Sequence, residues 1–109
     1  MEKQKQKREV RKSPRKLPLP PPALLYAATG DLNGEIDLNW RPVKGARTYI
    51  IQSSSKIIKH PRWKHVDVVT KSSHTITNLK HGKMYWFRVA AVCSSGQGLW
   101  SPAVNKRVI

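Results

Sequence analysis

The chain has 109 residues, room for one hydrophobic core and no second folded domain, because domains usually take about 100–200 residues. Its hydrophobic fraction of 39% beside a charged fraction of 25% is ordinary for a globular protein and excludes disorder of the whole chain. The 21 Lys and Arg against 6 Asp and Glu give a formal net charge of +15, a field that attracts polyanions.

In chain order, residues 1–16 come first and carry Lys3, Lys5, Lys7, Arg8, Arg11, Lys12, Arg15 and Lys16 against Glu2 and Glu9. So charged a segment buries too little apolar surface to offset the entropy of ordering it, so a disordered basic arm is expected. Pro18 and Pro20-Pro21-Pro22 then favour an extended polyproline spacer of about 3.1 Å per residue. The expected organisation is therefore an arm and linker over residues 1–22 and a folded domain over 23–109. The arm accounts for +6 of the charge, which leaves +9 on the remainder. The apolar stretch at 17–22 is too short and Pro-broken for a signal peptide. No run nears the ~18 apolar residues that span a bilayer. For a full-length chain the default expectation is thus the cytoplasm, without membrane contact.

After Pro22, β-type runs separated by turn residues predict strands at 24–28, 35–40, 48–53, 63–69, 74–77, 84–93 and 103–108. Seven antiparallel strands without a helical period predict an all-β, Ig-like sandwich. Alternation sends Ile36, Leu38 and Trp40 inward, with Tyr49 and Ile51. In the long sixth run it sends Tyr85, Phe87, Val89 and Ala91 to the core and Trp86, Arg88, Ala90 and Val92 to the other face. Turns are expected at Asn33-Gly34, at Lys44-Gly45 and at Ser95-Gly96-Gln97-Gly98.

Over about residues 19–109 this order resembles the fibronectin type III family. Gly34-Glu35-Ile36-Asp37-Leu38-Asn39-Trp40 looks like the family's second strand ending in its core tryptophan, and Tyr49 looks like the core tyrosine of its third strand. Leu79-Lys80-His81-Gly82-Lys83-Met84-Tyr85 is similar to the family's Leu-x-Pro-Gly-x-x-Tyr corner, with His81 where proline is usual. The resemblance implies that the Tyr85 hydroxyl bonds back to the backbone. It also implies a structural set of Trp40, Tyr49, Leu79, Gly82 and Tyr85. Tyr85-Trp86-Phe87-Arg88-Val89 with Trp100-Ser101-Pro102 further resembles bacterial members in which a helical region precedes one such domain. The family's Arg-Gly-Asp adhesion tripeptide is absent, so integrin binding is not implied.

No chemistry-bearing constellation accompanies this pattern. His60, His65, His74 and His81 lack tight ligand spacing, and Cys93 is the only thiol, so neither metal nor cofactor is expected. The lone Cys93 also excludes an intrachain disulfide and, on inward parity at a strand end, reads as a small buried hydrophobe. No triad order, paired carboxylates or glycine-rich phosphate loop is present, so an enzyme and a small-molecule substrate are not expected. The candidate partner-binding residues are Trp86, Ile50 and Val92, outward by parity, with Trp63 nearby. Trp86 either meets a partner or lies along the stem of Arg88 or of a neighbouring Lys. The expected function is a protein–protein interaction or spacer module. The alternative is non-specific binding of a polyanion, nucleic acid or heparin-like, through the eight basic residues of the arm and the domain surface.

Overall fold

The computed structural model describes residues 18–55 and 62–109. The eight candidate polyanion-binding residues, Lys3 to Lys16, lie outside the described residues. Eight strands follow in order: β1 Tyr26–Thr29, β2 Ile36–Asn39, β3 Thr48–Ser54, β4 Lys64–Val69, β5 Ser73–Ile76, β6 Met84–Cys93, β7 Gly96–Trp100 and β8 Val104–Arg107. They form two antiparallel sheets, one of order β1-β2-β5 and one of order β4-β3-β6-β7, with β8 also paired to β6. The chain is thus an all-β sandwich, as its alternation predicts.

The core lies between the sheets and takes the inward set of both. Ile36, Leu38 and Trp40 face Tyr49, Ile51, Phe87, Val89 and Ala91, with Ile76 and Val108 completing the buried cluster. The Trp40 and Tyr49 rings meet edge to face at 5.3 Å, and the Tyr49 hydroxyl accepts the Val43 N–H at 2.9 Å. Trp40 Nε1 is the one buried side-chain polar atom among the described residues that has no partner. Leu79 and Tyr85 are half-buried and pack against the cluster from its margin.

The corner at residues 79–85 forms as its sequence implies. Lys83 N–H donates to Lys80 O at 3.1 Å, closing a four-residue turn whose third residue, Gly82, has φ 81°. That is the type II pattern, in which a Cβ at the third position is strained and the second position favours proline without requiring it. His81 fills the second position and is exposed. The turn is tied down by Gly82 N–H to Val108 O at 2.7 Å and by Arg107 Nη1 to Gly82 O at 2.7 Å. The Tyr85 hydroxyl accepts the Lys80 N–H at 3.1 Å. Since Lys80 N–H is exposed and water replaces the lost partner, Tyr85→Phe is expected to cost only about 0.5–1.5 kcal/mol. Urea unfolding should show a lower midpoint at unchanged slope; a variant as stable as the parent would mean that the bond contributes nothing.

Three expectations are corrected. The count is eight rather than seven, because Ser95-Gly96-Gln97-Gly98 is not a turn. Cys93 pairs with Gly96 across a tight Ser94-Ser95 turn, and residues from Gly96 onward run as β7. Glycines read as punctuation there, but β7 uses Gly98 for a close approach: a Cβ on it would stand 2.6 Å from Leu19 O. The first strand begins at Tyr26 rather than 24, since Leu24 has φ 58° and is 71% exposed while Leu25 and Ala27 pack inward. Cys93 is half-buried rather than enclosed, with Sγ 3.1 Å from Ser95 Oγ.

Packing also reaches upstream of residue 23. Pro22 is among the most deeply buried side chains, Leu19 packs against the core, and Leu19 O accepts the Leu99 N–H at 3.0 Å. Proline pre-sets its own backbone angle, so this segment loses little entropy on docking.

Candidate functional site

The outward face of the larger sheet is built by the same alternation that builds the core. Cross-strand partners share a face, and the register sets Ile50 opposite Ala90 and Gln52 opposite Arg88. Val68 stands opposite Ile50 on β4, and Trp100 stands opposite Ala90 on β7. Ala90 is fully buried although it lies outside the core cluster, because Ile50 and Trp100 flank it and cover it.

Arg88 is the centre of this face. Its Cζ lies 4.4 Å from the centroid of the Trp63 ring and 4.2 Å from that of Trp100, so the guanidinium stands between two indoles. Each such contact is worth about 0.5–2 kcal/mol, more as water is excluded. Arg88 Nε donates to Gln52 Oε1 at 2.9 Å, which fixes the plane of the group. Partial burial lowers its pKa from the usual guanidinium value, since desolvation disfavours the charged form. Arginine nonetheless stays charged at any ordinary pH.

Trp100 reaches this position through a break in the ladder. Beyond the Ala90–Trp100 pair, Ser101 turns inward and is buried; its N–H donates to Val89 O at 2.8 Å and its Oγ accepts the Val89 N–H at 3.0 Å. The serine thus keeps β6 satisfied where β7 ends and leaves the tryptophan facing out.

The candidate residues fall on this face at different places. Trp63, just before β4, is drawn to the centre by Arg88 and is half-buried. Ile50 lies in the adjoining row. Trp86 stands one step further along β6, opposite Ser54 and Asn105, and Val92 lies at the other end, opposite Thr48 and Gln97. All four are half-buried. Trp63 and Trp100, rather than Trp86, hold the Arg88 guanidinium. Trp100 and Gln52 were missed by sequence reasoning. The signal for Trp100 was its neighbour: a serine on inward parity obliges the tryptophan beside it to face outward.

Elsewhere, His74 Nε2 approaches Asp67 Oδ2 at 3.6 Å and links the β5 and β4 edges across the seam of the sandwich. Asp37 Oδ1 accepts the Thr75 hydroxyl at 2.7 Å on the smaller sheet. Among the described residues no three His, Cys, Asp or Glu side chains converge as metal ligands would. Among them, too, no helix is long and apolar enough to cross a membrane.

A family model for the fibronectin type III domain matches residues 20–107. The chain belongs to the fibronectin type III family. Solved structures agree on the fold. An Fn3-like protein from Clostridium thermocellum is similar at 24% identity and a TM-score of 0.69, over 77% of this chain and 86% of that one. The FN5 domain of Drosophila Lar matches at 24% identity and a TM-score of 0.62, covering 83% of this chain and 96% of its own. The twitchin kinase region from C. elegans matches at 22% identity and a TM-score of 0.71; the match takes in 85% of this chain but 17% of that much longer one. No curated protein matches the sequence. Fibronectin type III domains are commonly interaction or spacer modules and generally not catalytic, while a fold alone names no partner.

Proposed function

We propose that this fibronectin type III domain is a non-enzymatic interaction module that docks a protein partner on the outward face of its larger sheet. The observation that carries this reading is the Arg88 guanidinium held between Trp63 and Trp100, beside Ile50 and a Val68 that is 50% exposed. Tryptophan and arginine are the residues most enriched at interface hot spots, and rigid ones lose little entropy on binding. A solvent-facing sheet that needed only to be wetted would carry short polar or flexible charged side chains here instead.

The test is recovery of a binding partner by the immobilised full chain, compared with Trp63→Ala and Ile50→Ala. Each substitution is expected to weaken binding about tenfold or more, as truncation of a hot-spot residue does. Both variants should keep the parent's circular dichroism, so that loss reports the surface and not the fold. Equal recovery by parent and both variants would overturn this face as the docking site.

A further inference from the structure

The docking reading says where a partner sits; the donors of Arg88 say what it brings. A guanidinium carries five N–H donors in a rigid planar fork. Arg88 spends Nε on Gln52, and the N–H groups of Nη1 and Nη2 meet no acceptor among the described residues. They are not enclosed among the described residues either, since the one buried unpartnered side-chain polar atom there is Trp40 Nε1. Among the described residues four donors are thus left without an acceptor, on a group whose position is fixed by two rings and one hydrogen bond.

No carboxylate of the domain is placed to use them. Asp31 and Glu35 lie in the connection between β1 and β2, where Glu35 Oε1 accepts the Leu32 N–H at 3.2 Å. Asp37 is engaged by Thr75 on the smaller sheet, and Asp67 is turned to the seam by His74. These four are all the acidic residues among the described ones. On the β4 flank of Arg88 stands His65, opposite Gln52 and exposed. The face thus carries the Arg88 charge with no counter-charge beside it among the described residues, and partial desolvation leaves the guanidinium short of the compensation water would give it.

We infer, resting on the docking reading above, that Arg88 is a preorganised receptor for a carboxylate side chain of the partner, an Asp or Glu set among apolar residues. A planar guanidinium takes a planar carboxylate through two parallel N–H to O bonds, the strongest common geometry of this kind. Apolar neighbours complete the match: Ile50 and Val68 lie one row away, and the two indoles wall the fork. A protein segment that alternates acidic and aliphatic residues satisfies both features. A nucleic-acid backbone or a sulfated sugar offers the charge but leaves Ile50 and Val68 without apolar contact.

The experiment uses the full chain with nitrogen-15 label and follows the Arg88 Nε–H resonance. Three terminally blocked hexapeptides are titrated: one alternating Leu and Glu, one with Gln for each Glu, and one with phosphoserine for each Glu. About 150 mM salt, with a screening length of about 8 Å, suppresses long-range attraction by the net charge. The Glu peptide is expected to shift the Arg88 resonance and bind about tenfold more tightly than the Gln peptide. Arg88→Lys keeps the charge but loses the fork and is expected to weaken the Glu peptide about tenfold. Gln52→Ala, which loosens the plane of the group, is expected to weaken it about two- to fivefold.

Equal binding of the Glu and Gln peptides, or of the Glu peptide by parent and Arg88→Lys, would overturn the carboxylate assignment. So would tighter binding of the phosphoserine peptide at the same resonance, which would make the fork a phosphate receptor. If the peptides fail while partner recovery still depends on Trp63 and Ile50, the carboxylate assignment falls alone and the docking face stands. Failure of both removes both.

Discussion

Phe87→Ala is expected to lower the unfolding free energy by about 3–5 kcal/mol, the range for truncating a buried aromatic. Phe87 is fully buried at the centre of the cluster formed by both sheets. It stacks on Tyr85 at 6.4 Å and stands opposite Ser53 on β3 and Val104 on β8. β6 is the strand that β3, β7 and β8 all pair with. Neighbours on three sides are thus held by ladders and cannot collapse into the space, which places the cost toward the upper end of the range. A small domain has about 5–15 kcal/mol in total, so a large share of its stability would go. The paired control is Trp86→Ala, one residue away on the opposite face, expected to cost about 1 kcal/mol, the ordinary size for a side chain outside the core. Denaturant unfolding of both variants decides the matter. Equal costs for the two would contradict the inward and outward assignment of β6.

The second expected result concerns residues 18–22. A chain starting at Ala23 should be less stable than the full chain by about 1–3 kcal/mol, from lost burial of Pro22 and Leu19 and one hydrogen bond, less the entropy regained. The contact with Gly98 makes this more than a simple loss. In the full chain an added Cβ on Gly98 would stand 2.6 Å from Leu19 O and 2.8 Å from Leu19 Cβ. Neither atom is the far end of a flexible side chain, so Gly98→Ala should cost about 1–3 kcal/mol through overpacking. Once residues before 23 are removed that obstacle is gone, and the same substitution should cost close to nothing. The coupling in this double-mutant cycle is therefore expected at about 1–3 kcal/mol, well beyond the error of additivity. A cost for Gly98→Ala that is the same in both backgrounds would show that Leu19 does not rest on β7.

How much of this was legible depended on the range of each interaction. Alternation over 36–40 and along β6 placed Ile36, Leu38, Trp40, Phe87, Val89 and Ala91 in the core, because parity is a property of a single strand. The corner was legible because Gly82 and Tyr85 act within seven residues. β7 was not: Gly96 and Gly98 have the composition of a turn, and only the approach of Leu19 from far upstream gives Gly98 a reason to lie in a strand. The Arg88 site was half legible. Parity placed Arg88 outward, but its partners Trp63 and Trp100 come from either side of it in sequence and meet it through register. An orphaned donor such as Trp40 Nε1 leaves no trace in sequence at all.

The hydrogen bond from Leu99 to Leu19 has a consequence for how copies of this chain behave together. An open strand margin is a template on which a second molecule can add, and repeated addition ends in fibres. Beside β7 that margin is already occupied by Leu19, and the residues that follow, Pro20, Pro21 and Pro22, have no N–H to offer a newcomer. At the far side of the same sheet, the register break in the β3–β4 pairing and the charge on Lys64 disturb the regular spacing that an added strand would need. The β7 and β4 margins of the larger sheet thus resist the addition of a strand by different means.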